Sequence, residues 1–229
     1  MSYLFDDSSS QSLNRTGVLD PFGISLWFYP DDSAVDCTLY AEYNASRSIY
    51  MSLVFAGSTG GDTVQMVVKQ NLGAATAIVT SSGTANIDAW NHVYWGRGVN
   101  DTTKSYLSLN GESLVTGTWT AAGATTARAI GRTGSIGAFM HMSGRVAEVG
   151  LWDANLNEND DRYKGLALGY KPSAIPVDPS GSSGAFGLNL ISYSSLIGNP
   201  ADLVRGESWT VGGSPLIAEH CRRFERYAA

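Results

Sequence analysis

The chain has 229 residues, of which 16% are charged and 26 are glycine, and it sets 15 basic against 21 acidic side chains for a net charge of −6. That balance argues against nucleic-acid binding, which rests on neutralising phosphates, and no stretch approaches the ~20 apolar residues of a membrane span. At this length roughly 70–75% of the unfolded surface can be buried without a metal or disulfide staple, and a charge-poor, Gly/Ser/Thr-rich composition suits short strands and tight turns rather than long helices.

The opening MSYLFDDSSS lacks the basic segment and apolar run of a secretory signal. Cys37 and Cys221, far apart in the chain, are therefore read as reduced thiols, with a pairing left open, and the sequons at Asn14, Asn44 and Asn100 as unused. Period-2 alternation then recurs. In FGISLWFYP (22–30), Ile24, Leu26 and Phe28 face one side while Ser25, Trp27 and Tyr29 face the other. Further strands are predicted at 38–43, 49–56, 63–70, 75–81 and 91–99. SYLSL and ESLVTG flank Asn110-Gly111, a pair that tolerates the positive φ values of a type I′ hairpin turn. RAIGR (128–132) and GRVAEVGLW (144–152) follow.

RVAEVGLWDANLNENDDRYKGLALGYKPSAIP (145–176) holds five acids, Glu148, Asp153, Glu158, Asp160 and Asp161. They invite a metal or catalytic reading. However, Asn157 can cap a helix with Asp160 in the capping-box position, acids suit its first turn, and Gly169 and Pro172 end it. A short helix is predicted near 158–168. PVDPSGSSGAFG (176–187) reads as a loop, and LNLISYSSLIGN and ESWTVGGSPLI as closing strands. The expected organisation is one domain over 1–214 and a basic, aromatic tail over 215–229, either an arm carrying Arg222, Arg223 and Arg226 or an ordinary solvated tail.

Several pieces, in order, resemble the laminin-G-like branch of the concanavalin A-like lectin/glucanase sandwiches. They are YLFDDSSSQSL, PFGISLWFYPDD, AWNHVYWGRG (89–98), KSYLSLNGES (104–113) and IGRTGSIGAFMHMSGRVAEVGLWDANLNENDD (130–161). The resemblance spans about residues 1–213 and implies an all-β jelly roll of two stacked antiparallel sheets, with the N- and C-terminal strands paired. Sheets about 10 Å apart need large apolar side chains on their facing sides, and the six tryptophans are expected to fill that core. His92 and Glu148 are then structural groups of half-buried strands.

Glucanases of this fold carry two carboxylates on one strand face, in a pattern like Glu-x-Asp-x-x-Glu. Here the nearest string, Glu158-Asn159-Asp160, has Tyr163 in place of the third acid and lies at the expected helix start. There is no Gly-x-Ser-x-Gly elbow and no His-Glu-x-x-His zinc helix, and GSTGGDT (57–63) lacks the lysine ending of a phosphate loop. The expectation is a protein without enzymatic activity and without a cofactor. Laminin-G-like domains sometimes hold calcium at the rim, to which Asp62, Asp101 or Asp153 could contribute, but no spacing singles one out.

Two functions suit these features, with a glycan hydrolase as a remote third. The first is a structural virion protein, a capsid decoration or cement protein of a tailed phage. It would sit on the major capsid protein as a homo-oligomer, a trimer being one such state, made in the host cytoplasm and anchored by the arm. The second is a carbohydrate-binding module, for which Trp119 and Tyr43 are the exposed aromatic candidates, although core packing suits each as well.

Overall fold

A computed structural model describes residues 2–5, 11–17, 19, 21–31, 36–44, 47–54, 62–70, 76–98, 103–119, 125–132, 141–153, 167, 190–194, 196, 201–213 and 215–218. The first strands are β1 (Ser2–Phe5), β2 (Ser12–Thr16), β3 (Gly23–Pro30), β4 (Cys37–Tyr43), β5 (Arg47–Val54), β6 (Thr63–Gln70) and β7 (Thr76–Thr80). Then come β8 (Asn91–Arg97), β9 (Lys104–Leu109), β10 (Val115–Thr118), β11 (Ala127–Ile130) and β12 (Gly144–Trp152). The last are β13 (Leu190–Ser194), β14 (Ala201–Asp202), β15 (Glu207–Ser208), β16 (Thr210–Gly212) and β17 (Leu216–Ala218).

They form two large antiparallel sheets. Sheet A runs β10-β9-β8-β3-β12-β1-β17, with β13 also on β12; sheet B runs β16-β2-β11-β4-β5-β6-β7. A separate hairpin joins β14 to β15. This is the expected all-β jelly roll, and β1 pairs with β17 as the resemblance implied. Leu216–Ala218, at the start of the expected tail, thus forms the last strand of sheet A.

Alternation explains the packing. Ile24, Leu26 and Phe28 are buried in one cluster with Leu39, Tyr40 and Met51 of the other sheet, while Trp27 and Tyr29 turn outward and stay half-buried. Each buried Leu, Ile or Phe contributes about 1.5–3 kcal/mol. Asn110 and Gly111 have φ of 52° and 78°, as an I′ turn requires, and Glu112 N–H closes the turn on the Leu109 carbonyl at 3.0 Å. Gly144 opens β12 at φ 129°, where a Cβ would stand 2.0 Å from the Tyr29 carbonyl oxygen. Only glycine permits that approach.

Three expectations are corrected. The tryptophans do not all fill the core: Trp95 and Trp209 do, and Trp119 packs against it, whereas Trp27 and Trp90 are half-buried and Trp152 is buried outside the inter-sheet cluster. Trp152 follows Leu151, which takes the inward register, so it covers Gly150 on the outer face. The second hairpin strand begins at Val115, because Glu112 is taken by the turn. ESWTVGGSPLI is three short strands in three sheets rather than one. The helix expected near 158–168 lies outside the described residues except Ala167, which is helical and half-buried.

Candidate functional site

One end of the sandwich, where β3 and β9 begin and β8 and β10 finish, is polar between its sheets. Arg97 ends β8 in the inward register two residues after Trp95. Its Nε and Nη2 donate to the Pro21 carbonyl at 3.1 and 2.7 Å. Its guanidinium lies 4.7 Å from the centroids of both Phe22 and Trp119, and Trp119 stands 5.3 Å from Trp95. Each cation–π contact contributes about 0.5–1 kcal/mol or more where water is excluded. The two rings and the arginine fix Trp119 at the end of β10.

Trp95, Arg97 and Trp119 wall a cleft with Pro21, Ile24, Tyr40, Glu42 and Ile49. Glu42 is buried, and its Oε1 accepts from Tyr40 Oη at 3.0 Å and Leu19 N–H at 3.2 Å. The cleft interior is about 10 Å³, room for one water. A ligand of any size therefore meets the rim. There Trp119 is half-buried beside the exposed Thr103, Lys104 and Thr118. Trp119 N–H donates to the Thr103 carbonyl at 2.6 Å, and Lys104 and Thr118 are cross-strand partners.

The other predicted residues go elsewhere. Tyr43 follows Glu42 and so faces out of sheet B, half-buried, with its hydroxyl accepting from Arg132 Nη2 at 3.3 Å. Trp119 and Tyr43 are not brought together. Arg222, Arg223 and Arg226 lie outside the described residues, as does Asp101. Asp62 is buried, with its carbonyl accepting from Ala85 N–H at 2.7 Å, and Asp153 is exposed just beyond β12. Among the described residues no three His, Cys, Asp or Glu side chains gather as a metal site. Cys37 is buried, its thiol 3.4 Å from the Met142 sulfur.

His92 and Glu148, expected in half-buried strands, are both buried. His92 Nε2 shares a hydrogen bond with Ser25 Oγ at 2.8 Å, and its ring packs 5.2 Å from Trp27. Both members of the Ser–His pair are buried, which fastens β3 to β8 but presents nothing to a substrate. Glu148 sits in a bulge of β12 at φ 56°, buried, accepting a hydrogen bond from Tyr193 Oη. Sequence alternation cannot show that bulge, because it inserts an extra residue against the partner strand.

A row of charged side chains crosses the inner face of sheet B at this same end, and sequence reading did not single it out. Arg15 pairs across strands with Arg128, Arg128 with Glu42, and Glu42 with Ile49. Arg128 and Glu42 are buried. The signal was present in Leu13-Asn-Arg15, Tyr40-Ala-Glu42 and Arg128-Ala-Ile130, each a core residue and a charge two positions apart.

The family model of the concanavalin A-like lectin/glucanases superfamily matches residues 6–160. No curated protein matches the chain. Among solved structures, the native heptameric SAP-like pentraxin from Limulus polyphemus is 16% identical, with a TM-score of 0.56 over 93% of this chain and 94% of that one. Domain 4 of AbnA, a GH43 extracellular arabinanase from Geobacillus stearothermophilus solved with arabinotriose, is 15% identical, with a TM-score of 0.53 over 72% and 81%. A leech intramolecular trans-sialidase complexed with 2,7-anhydro-Neu5Ac is 11% identical, with a TM-score of 0.50 over 69% of this chain and 24% of its own. These likenesses concern the fold, and the family match covers well over half of the sequence. The chain belongs to the concanavalin A-like lectin/glucanases superfamily.

Proposed function

We propose that this protein is a non-catalytic, lectin-like module that binds glycans at the rim around Trp119. The carrying observation is the placement of Trp119 at the rim of the cleft, half-buried, braced by Arg97 and Trp95 and held to the exposed Thr103 by its backbone. Sugar recognition needs that combination, an apolar ring face for the sugar's C–H surface beside donors and acceptors for its hydroxyls. The arabinanase domain of similar fold, solved with arabinotriose, supports the reading by analogy. The buried carboxylates support a binding role over hydrolysis, because Glu42 and Glu148 accept hydrogen bonds from tyrosines within the sandwich. A glycan microarray probed with the purified chain tests this. Selective binding that Trp119→Ala removes is the expected result; an array without binding contradicts it.

A second reading is favoured by the exposed apolar side chains Leu203, Val204, Val211 and Leu216, contributed by the final strands and their hairpin. Exposed apolar side chains grouped in one stretch of the chain suit protein contact. In this reading the module decorates a virus particle, seated on the major capsid protein as a single copy or a trimer, with Arg222, Arg223 and Arg226 of the tail as anchor. The glycan rim then faces outward. Quantitative mass spectrometry of purified particles tests it: a copy number at a small-integer fraction of the shell protein supports decoration, and absence from particles refutes it.

A further inference from the structure

Arg128 is the anomaly of the charged row. Its side chain is 2% exposed, yet neither Nε nor Nη1 has a hydrogen-bond partner. A buried guanidinium normally has its N–H donors satisfied. Its contacts are instead the Trp209 ring, 5.2 Å from the guanidinium carbon, and Glu207 Oε2, 3.8 Å from Nη2. At that distance Glu207 neutralises charge without making a hydrogen bond.

The same Glu207 carboxylate also takes Arg15 and, at 3.2 Å, Arg205. Glu42, the cross-strand neighbour of Arg128, has Oε1 committed to Tyr40 and Leu19. Two further guanidinium groups thus crowd the one carboxylate that faces Arg128. Glu207 stands on a two-residue strand held by the pairs Ala201–Ser208 and Asp202–Glu207, and its side chain is 41% exposed. A minimal hairpin thus lays a solvent-reaching carboxylate over an arginine whose fork is unfilled.

We propose that Arg128, with Arg15 beside it, recognises the carboxylate of an acidic sugar, and that Glu207 is a resident stand-in which that carboxylate displaces. A planar carboxylate matches the guanidinium fork through two parallel hydrogen bonds, which Glu207 at its present distance does not make. The inference rests on the glycan-binding reading, and Glu42 joins the two parts: it neighbours Arg128 in the row and lines the cleft that Trp119 rims. The acidic residue reaches Arg128 from the solvent-exposed Glu207 side, since the cleft itself has room for only one water.

Titration calorimetry of the full chain with glucuronate and N-acetylneuraminate, against glucose and galactose as neutral controls, provides the test. Acidic sugars bind the unaltered protein more tightly than neutral ones. Glu207→Gln, which removes the competing charge, tightens acidic-sugar binding by about fivefold or more, and Arg128→Gln weakens it by about tenfold or more, with neutral-sugar binding unchanged. Acidic sugars that bind no better than neutral ones, and no response to Glu207→Gln, overturn the proposal while leaving the glycan reading intact. Absence of binding by every sugar overturns both. A second readout does not depend on the Arg128 variant folding. In Glu207→Ala, sodium acetate at matched ionic strength raises the thermal midpoint more than it does in the unaltered protein, and equal shifts overturn the proposal.

Discussion

Two neighbouring rows of sheet B, built by the same strands, differ completely in character. Leu13, Ile130, Tyr40 and Met51 form one row and are at most 1% exposed. Two residues along, the row is Arg15, Arg128, Glu42 and Ile49. Both face sheet A, and the backbone treats them alike. The first row is what a sandwich core requires. The second places ionised groups where each costs several kcal/mol to desolvate, so packing alone does not account for it. The difference separates the part of the inner face that holds the fold from the charged part at which recognition is proposed.

Substitutions in the two rows test that contrast. The largest effect is expected in the apolar row: Leu13→Ala loses about 3 kcal/mol in urea unfolding, from lost burial and the cavity left behind. Trp119→Ala comes next, at about 1–2 kcal/mol, because the ring gives up its contacts with Trp95 and Arg97. Glycan binding should fall far more than stability does. Arg128→Met should change stability by no more than about 1 kcal/mol in either direction, since Glu207 keeps Arg15 and Arg205 and the methionine leaves no buried donor unsatisfied. A loss as large as that of Leu13→Ala would erase the distinction between the rows.

The smallest effect serves as a control at the opposite end of sheet A. Partial burial raises the Asp31 carboxyl above the usual aspartate range; Arg145 opposes this, and the Asp88 charge adds to the rise. The folded state therefore holds this proton more tightly than the unfolded chain, and stability is lost as pH climbs through the raised value. Asp31→Asn should be slightly more stable than the unaltered protein at pH 7, the effect being small because solvent screens this exposed side chain, and should lose that advantage near pH 3, where the aspartate is protonated in both states. Melting curves across that range would expose the opposite slope if the sign were wrong.

Much of the frame was legible in the sequence. The strands at 63–70 and 144–152 match β6 and β12 to the residue, because period-2 patterning bounded by turn residues survives whatever the tertiary context. Asn110-Gly111 is legible for the same local reason. The site is not local. Trp119 drew notice as an aromatic, but its brace, Arg97, is 22 positions earlier and reaches it only through the β8-β9-β10 pairing. The charged row is hidden similarly, since Arg15, Glu42 and Arg128 become neighbours only once the register of three strands is set. Tyr43 is the reverse case, a plausible aromatic that one step of alternation turns to the other side of the sheet.

The most direct test is calorimetry of the best-binding glycan against two tryptophan variants, Trp119→Ala at the sandwich end and Trp27→Ala on the outer face of sheet A. Binding lost in Trp119→Ala and kept in Trp27→Ala is the predicted result. Binding that survives Trp119→Ala but fails in Trp27→Ala would move recognition to the outer face and contradict the assignment of the site.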